Sequence, residues 1–340
     1  MKKIASPFRN LRTIDAHQIT NYLSMVSYLF RLIFALFLLI ALYQPAVGST
    51  VDSLRITVSD GTELFVSVRG EGIPCLYIHG GPGVGSFWME KLYGDILERN
   101  FKMIYLDQRG SGRSDSAVSG DYSPERMAKD FDEVRQQLGI KSWITLGHSF
   151  GGLLQMEHAM RYSATILGMI MIAPTLNLNE SAEAMIDFAV QELNINGEAR
   201  KESLDNSKYP IDRLMPLFIK LREQDVFWKA YYSDKQNSAR MDSVMAKVTA
   251  HNYEFGNRAF SMAAYYQNYK PMSYTIDKPV LLYFGRRDYA VGPNHYRGIN
   301  FPNMTLLFWD GGHVPFMEGN KALEHAITRW LEKHTSLQKF

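Results

Sequence analysis

The stretch Gly147-His148-Ser149-Phe150-Gly151 constrains this chain more than any other. Before it, Ser142 to Leu146 is a short apolar, β-prone run; after it, Gly152 to Met160 carries apolar residues at helical spacing. Strand, sharp turn and helix in that order form the setting in which G-x-S-x-G lifts a serine on a strained turn at the tip of a sheet. Gly147 and Gly151, two before and two after the serine, let the strand and the helix pack closely. The bare pattern is common by chance. The rest of the chain therefore has to supply a base, an acid and oxyanion donors in a compatible order.

Upstream, Leu54–Val58 and Leu64–Val68 alternate in character around Asp60-Gly61, which predicts an antiparallel hairpin. Pro74–Ile78, Lys102–Leu106, the elbow strand and Ile166–Pro174 are apolar throughout and are separated by helical segments, Trp88–Arg99 and the run opened by Ser123-Pro124. Strands apolar on both faces and alternating with helices predict an α/β fold with a mostly parallel sheet, covered by helices on both sides. From 175 to 275 the alternation stops, and the composition turns to helix with no clear strand. We read 49–174 and 276–340 as two parts of one α/β core and 175–275 as a helical cap over the site. Pro279–Phe284 and Met304–Phe308 supply the last strands, and Ala322–His334 the closing helix.

Residues 1–48 read differently. Leu32–Tyr43 is an unbroken apolar run of 12 residues, preceded by Arg31 and followed by small residues up to Gly48. This is short for a membrane span, which needs about 20 residues, and normal for the apolar region of an export signal. The expectation is an exported, periplasmic or secreted protein, with Met25 as an alternative start and an uncleaved membrane anchor over residues 25–43 as the alternative reading. Five basic residues against Asp15 give this leader +4, which leaves −2 of the total +2 for the rest. No basic cluster of the kind that binds nucleic acid remains. One cysteine, Cys75, excludes an intramolecular disulfide and sits in an apolar strand; the nine histidines show no metal-ligand spacing.

In an open parallel sheet, functional groups lie just past the carboxyl ends of the strands. Ser149, Asp288, His313 and the turn at His79 all lie there. Their chain order, Ser then Asp then His, is the one expected of α/β-hydrolases. Ser149 is the expected nucleophile, His313 the base that takes its proton, and Asp288 the group that orients the imidazole. Asp310 is a competing acid, set aside because Asp288 ends a buried strand. The oxyanion donors are expected to be the amides of Phe150 and Gly81. His79 and His148 read as structural, and Asp107, Arg109 and Arg113 as charges bracing a loop beneath the site. No cofactor and no metal is expected, because nucleophile, base and donors account for the chemistry.

Taken together, HGGPG at His79–Gly83, DQRGSGRS at Asp107–Ser114 and GHSFGG at Gly147–Gly152 are far more specific than any one of them. On these motifs the chain resembles the proline iminopeptidase (prolyl aminopeptidase) branch of the α/β-hydrolases, from about Val51 to the last helix and weakly through the cap. The resemblance implies a serine exopeptidase that releases an N-terminal residue, often proline, from small peptides and holds the free amino group with acids, some on the cap. Glu254 is the candidate for that role. Some relatives carry a second acid directly after the catalytic aspartate; here that position is Tyr289, which puts aminopeptidase specificity in question and leaves hydrolysis untouched. The alternative is an esterase, lactonase or amidase using the same triad on a small acyl substrate. A more remote one is a non-catalytic ligand-binding protein on this fold. The expected partner is a small peptide or small acyl substrate, with no nucleic acid and with membrane contact through the leader alone if it is uncleaved.

Overall fold

A computed structural model describes residues 52–195, 209–248 and 251–339. The export-signal reading of residues 1–48 lies outside them. Among the described residues, no helix is long and apolar enough to cross a membrane.

Eight strands form one sheet in the order β1-β2-β4-β3-β5-β6-β7-β8. β1 (Asp52–Thr57) and β2 (Glu63–Arg69) make the predicted hairpin, and β2 also runs antiparallel to β4 (Phe101–Leu106). From β4 onward through β3 (Ile73–Ile78), β5 (Trp143–His148), β6 (Ile166–Ile172), β7 (Pro279–Gly285) and β8 (Asn303–Trp309), every pairing is parallel. All the carboxyl ends from β3 to β8 thus open on one edge, where the elbow, Asp288 and His313 follow their strands.

The continuous apolar strands are explained by burial on both faces. Along β3, Leu76 and Ile78 face one cluster, with Met127 and Phe131 of α2 (Pro124–Gln137) and Leu153 and Met156 of α3 (Gly151–Tyr162). Cys75 and Tyr77 face the other, with Trp88 and Tyr93 of α1 (Phe87–Leu97) and Trp330 and Leu331 of α9 (Asn320–Lys333). Side chains alternate across a strand with a period of two, so a strand covered on both sides has no position left for a polar residue. The predicted start of α2 also holds: the Ser123 hydroxyl accepts the Arg126 N–H at 3.2 Å, with Pro124 at the first helical position.

The insertion after β6 contains α4 (Leu178–Glu192), α5 (Pro210–Glu223), α6 (Lys235–Met245) and α7 (Glu254–Ala259). α4 and α5 bury Met185, Ile186, Leu214 and Leu217 against each other in a small core of their own. From Phe255 onward the insertion instead joins the core of the sheet: Phe255, Tyr265, Tyr269 and Ile276 pack with the α2–α3 face. The Tyr265 hydroxyl donates to the Tyr122 carbonyl at 2.6 Å, and the Tyr269 hydroxyl to Glu157 at 2.8 Å. A short α8 (Pro315–Glu318) follows the His313 loop.

Four histidines are buried as neutral rings. Burial pulls His79 from 6.5 down to about 4, and His158 and His295 from 6.5 down to about 3; it also takes His148 well below its ordinary value. In the unfolded chain each binds a proton near pH 6.5, whereas the folded chain keeps His79 neutral down to about pH 4 and His158 and His295 down to about pH 3, and holds His148 neutral well below its ordinary value. The unfolded state therefore binds more protons across that window, and stability falls as pH drops through it. Each ring contributes a slope of about 1.4 kcal/mol per pH unit. Urea midpoints measured between about pH 7 and pH 5 should fall steadily. His158, whose two ring nitrogens have no protein partner among Phe131, Trp143 and Tyr162, tests the assignment, because His158→Leu should flatten part of the slope. An unchanged slope in that variant would contradict it.

Candidate active site

β5 ends at His148 and α3 begins at Gly151, so Ser149 and Phe150 make the whole turn. Ser149 sits at φ 54, in the left-handed region that a residue with a Cβ enters at a cost of roughly 1–2 kcal/mol. Three backbone hydrogen bonds hold it there. Its N–H donates to Ile172 at 3.2 Å, and its carbonyl accepts the N–H groups of Gly152 and Thr175, both at 2.9 Å. A Cβ on Gly147 would lie 2.2 Å from Oε1 of Gln155, and one on Gly151 would lie 2.2 Å from the Ile78 carbonyl oxygen. At Gly151 the obstacle is backbone and only glycine fits; at Gly147 it is the Gln155 side chain, which would have to shift.

The turn after β3 presses on the serine. A Cβ on Gly80 would lie 2.7 Å from the Ser149 Cβ and 2.4 Å from the His148 carbonyl oxygen, so backbone alone can pass there. Gly81 follows at φ 44. Among the described residues, the amide N–H groups of Gly81 and Phe150 donate to no backbone acceptor. Both flank Ser149 on the wall of a single cavity.

Asp288 and His313 meet at the ends of β7 and β8. His313 Nδ1 lies 2.9 Å from Oδ2 of Asp288. The other carboxylate oxygen accepts the N–H groups of Ala290 at 3.0 Å and Val291 at 3.2 Å. Asp288 is fully buried and His313 is 3% exposed. A carboxylate fixed by two amides and facing one imidazole nitrogen places the proton on Nδ1, leaving Nε2 as the acceptor. The competing acid, Asp310, has a side chain 84% exposed and an ion pair with Arg287.

The cavity has a volume of about 470 Å³ and is lined by Ser149, His313, Gly80, Gly81 and Phe150 together with cap side chains such as Met185, Leu214 and Phe260. Its walls are predominantly apolar. Among the described lining residues, the formal charges come from Arg222 of α5 and Asp242 of α6.

Around this, the remaining polar residues brace loops. His79 Nε2 accepts the Gln108 N–H at 3.1 Å, and the Gln108 side chain donates back to the His79 carbonyl at 3.0 Å. Asp107 accepts the Ser86 N–H at 2.6 Å and Nε of Arg113 at 2.7 Å. Burial alone would raise that carboxyl; the Arg113 hydrogen bond and charge outweigh it and hold it below the usual range. Arg109 is fully buried between Asp130 and Asp60. His148 donates from Nε2 to the His313 carbonyl at 3.1 Å.

Glu254 is not among the residues that line this cavity. Its carboxylate pairs with Arg258 at 2.7 Å and is held below its ordinary value first by the Ser116 hydrogen bond, then by Tyr122 and Arg258. The reason is local: Asn252 and Gly112 exchange backbone hydrogen bonds at 2.8 and 3.0 Å, which docks this segment on the Asp107–Ser114 loop and directs Tyr253 toward the cavity in place of Glu254. Tyr289 stacks on Phe188, with ring centroids 4.9 Å apart. Sequence reasoning passed over Gly80, Arg222 and Asp242. The first was visible in the double glycine after His79; the other two carry no motif.

The sequence pattern of the alpha/beta hydrolase fold matches residues 74–320. The chain belongs to that family. The chain is 28% identical to RutD of Escherichia coli, a candidate carbamate hydrolase, over 164 residues, which is 48% of this chain and 58% of RutD. The matched part thus spans less than two thirds of that relative. Among solved structures, a proline iminopeptidase-related protein from Thermus thermophilus superposes with a TM-score of 0.67 at 21% identity, covering 83% of this chain and 97% of that one. An esterase from Exiguobacterium antarcticum superposes with a TM-score of 0.62 at 18% identity, covering 83% and 100%. At these identities the two structures establish the shared fold.

Proposed function

We propose that this α/β-hydrolase is a serine hydrolase that cleaves the ester or amide bond of a small, largely apolar acyl substrate through an acyl-enzyme on Ser149. The observation that carries this reading is the shared cavity: a serine strained toward it, an imidazole backed by a buried carboxylate, and two amides beside the serine that donate to no backbone acceptor among the described residues. His313 Nε2 takes the Ser149 proton as Oγ attacks the carbonyl carbon. The imidazolium that forms is stabilised by Asp288. The carbonyl oxygen gains negative charge against the amides of Gly81 and Phe150. His313 then protonates the leaving group, and water enters to release the acid by the same steps in reverse.

A second reading, an aminopeptidase of proline iminopeptidase type, is favoured by one observation. Asp242 puts a carboxylate on the cavity wall, the group an N-terminal ammonium requires and Glu254 does not supply there. The experiment that separates the two compares short acyl arylesters with prolyl- and alanyl-arylamides, each arylamide with its amine free and blocked. Ester turnover insensitive to Asp242→Asn supports the acyl hydrolase. Fast cleavage of a free-amine arylamide, lost on blocking and reduced at least ~10-fold in Asp242→Asn, as expected when a charged hydrogen-bond partner is removed, establishes the aminopeptidase instead.

A further inference from the structure

The cap touches the proposed base in a way that substrate recognition alone does not require. After α5 the chain makes a short turn, Phe227–Ala230, and meets the loops that follow β7 and β8. Two consecutive carbonyls there are used by the site. Ala230 accepts the N–H of Tyr289, the residue directly after Asp288, at 3.2 Å, and Tyr231 accepts the N–H of His313 at 2.8 Å. On its other side, the carbonyl of His313 accepts Nε2–H of His148. The backbone of the proposed base is thus held at both polar groups, once by the elbow and once by the cap.

The approach is close. A Cβ on Gly312 would lie 2.4 Å from the Tyr231 carbonyl oxygen, so a glycine before His313 is what lets the cap reach it. The Tyr231 ring stands edge-on to the His313 ring, centroids 5.5 Å apart at 78°. Phe227 packs on Tyr231 at 5.3 Å, and the Arg222 guanidinium lies 4.3 Å over Phe227. Arg222 and Tyr231 both line the cavity. A contiguous row of side chains therefore runs from the cap helix α5 to the imidazole.

We propose that Tyr231 is a positioning residue for His313, and that the cap is part of the catalytic machinery as well as a wall of the cavity. This rests on the acyl-enzyme reading above. The physical reason is that transfer of the serine proton tolerates little error in where Nε2 points; a displacement of about 1 Å costs on the order of 100-fold. The His313 loop has no helix or strand to fix it, because β8 ends at Trp309 and α8 begins at Pro315. The cap carbonyls take that role. Tyr231→Ala removes the ring that seats its carbonyl, and Gly312→Ala wedges the two backbones apart.

The test uses the smallest neutral substrate, an acetyl arylester, and a small fluorophosphonate that labels an activated serine. Neither is large enough to depend on cap recognition. Tyr231→Ala and Gly312→Ala should each lower kcat for the ester, and the labelling rate, by roughly 10- to 100-fold, with KM changed by less than about three-fold. Tyr231→Phe, which keeps ring and backbone, should restore most of both. A cap that acts by recognition alone would leave acetyl ester turnover and labelling unchanged in Tyr231→Ala, and that result would overturn the proposal. So would a KM effect with kcat intact. If the unmodified protein is not labelled and Ser149→Ala hydrolyses the ester as well as it does, the acyl-enzyme reading itself has failed, which is distinct from labelling that is present and insensitive to Tyr231.

Discussion

Ser149→Ala should abolish hydrolysis of any substrate this protein turns over, by about 10⁴- to 10⁶-fold in kcat, while leaving the fold in place. The size follows from the way the three groups act as a unit: without the hydroxyl, His313 and Asp288 have no proton to move, and only the amides of Gly81 and Phe150 still act on the carbonyl. The fold should survive because Ser149 is held through its backbone, by Ile172, Gly152 and Thr175, and the alanine Cβ occupies the space of the serine Cβ. Some of the strain at φ 54 remains in the variant. Asp288→Asn should cost about 10⁴-fold, because an amide facing Nδ1 favours the wrong tautomer. Steady-state rates on the best ester or arylamide, with the circular dichroism spectrum as a check on folding, decide both. Full turnover in Ser149→Ala would remove the proposed mechanism.

The largest loss of stability is expected at Arg109, which is not among the residues that line the cavity. Its guanidinium grips Asp130 with two hydrogen bonds, at 2.6 and 2.8 Å, reaches Asp60 at 2.7 Å and donates to the Asp121 carbonyl at 3.0 Å. It thereby ties the loop after β4 to the β1–β2 turn and to α2. Replacing it with leucine leaves the carboxylate of Asp130 buried with Arg126 as its remaining ion-pair partner, and removing one side of a buried pair costs about 3–5 kcal/mol. Arg109→Leu should lower the urea midpoint accordingly. The double variant Arg109→Leu with Asp130→Leu should recover part of the loss, since the orphaned charge is then gone. A single-variant loss below about 1 kcal/mol would place Arg109 with ordinary surface pairs.

Much of the core was legible because its physics is local. Cys75, Leu76, Tyr77 and Ile78 read as a strand because residues buried on both faces leave no room for a polar position. The elbow read as an elbow because a serine at positive φ between a strand and a helix calls for small residues at 147 and 151. Asp107, Arg109 and Arg113 read as loop-bracing charges, and they are. The facing of the cap residues was not legible, for one reason. Glu254 was placed by its position in the cap and by resemblance, yet whether a carboxylate faces a cavity depends on how its segment docks, and the Gly112–Asn252 pairing turns it toward Ser116, Tyr122 and Arg258. Arg222 and Asp242 stand on helices whose exposed faces carry many charges, so nothing distinguished them.

By itself the sequence determined the α/β class, the succession of strands and helices along the chain as far as the elbow, and the residues whose side chains are proposed to carry the chemistry. Each of these follows from short-range requirements: the period of buried side chains, the steric demands of a strained turn, and the placement of functional groups just beyond strand ends. Only the tertiary structure decided which cap residues face the cavity and that the Tyr231 carbonyl holds His313. A side chain's facing is set by the packing of distant segments, and a backbone carbonyl is the same in every residue, so neither leaves a mark in the sequence.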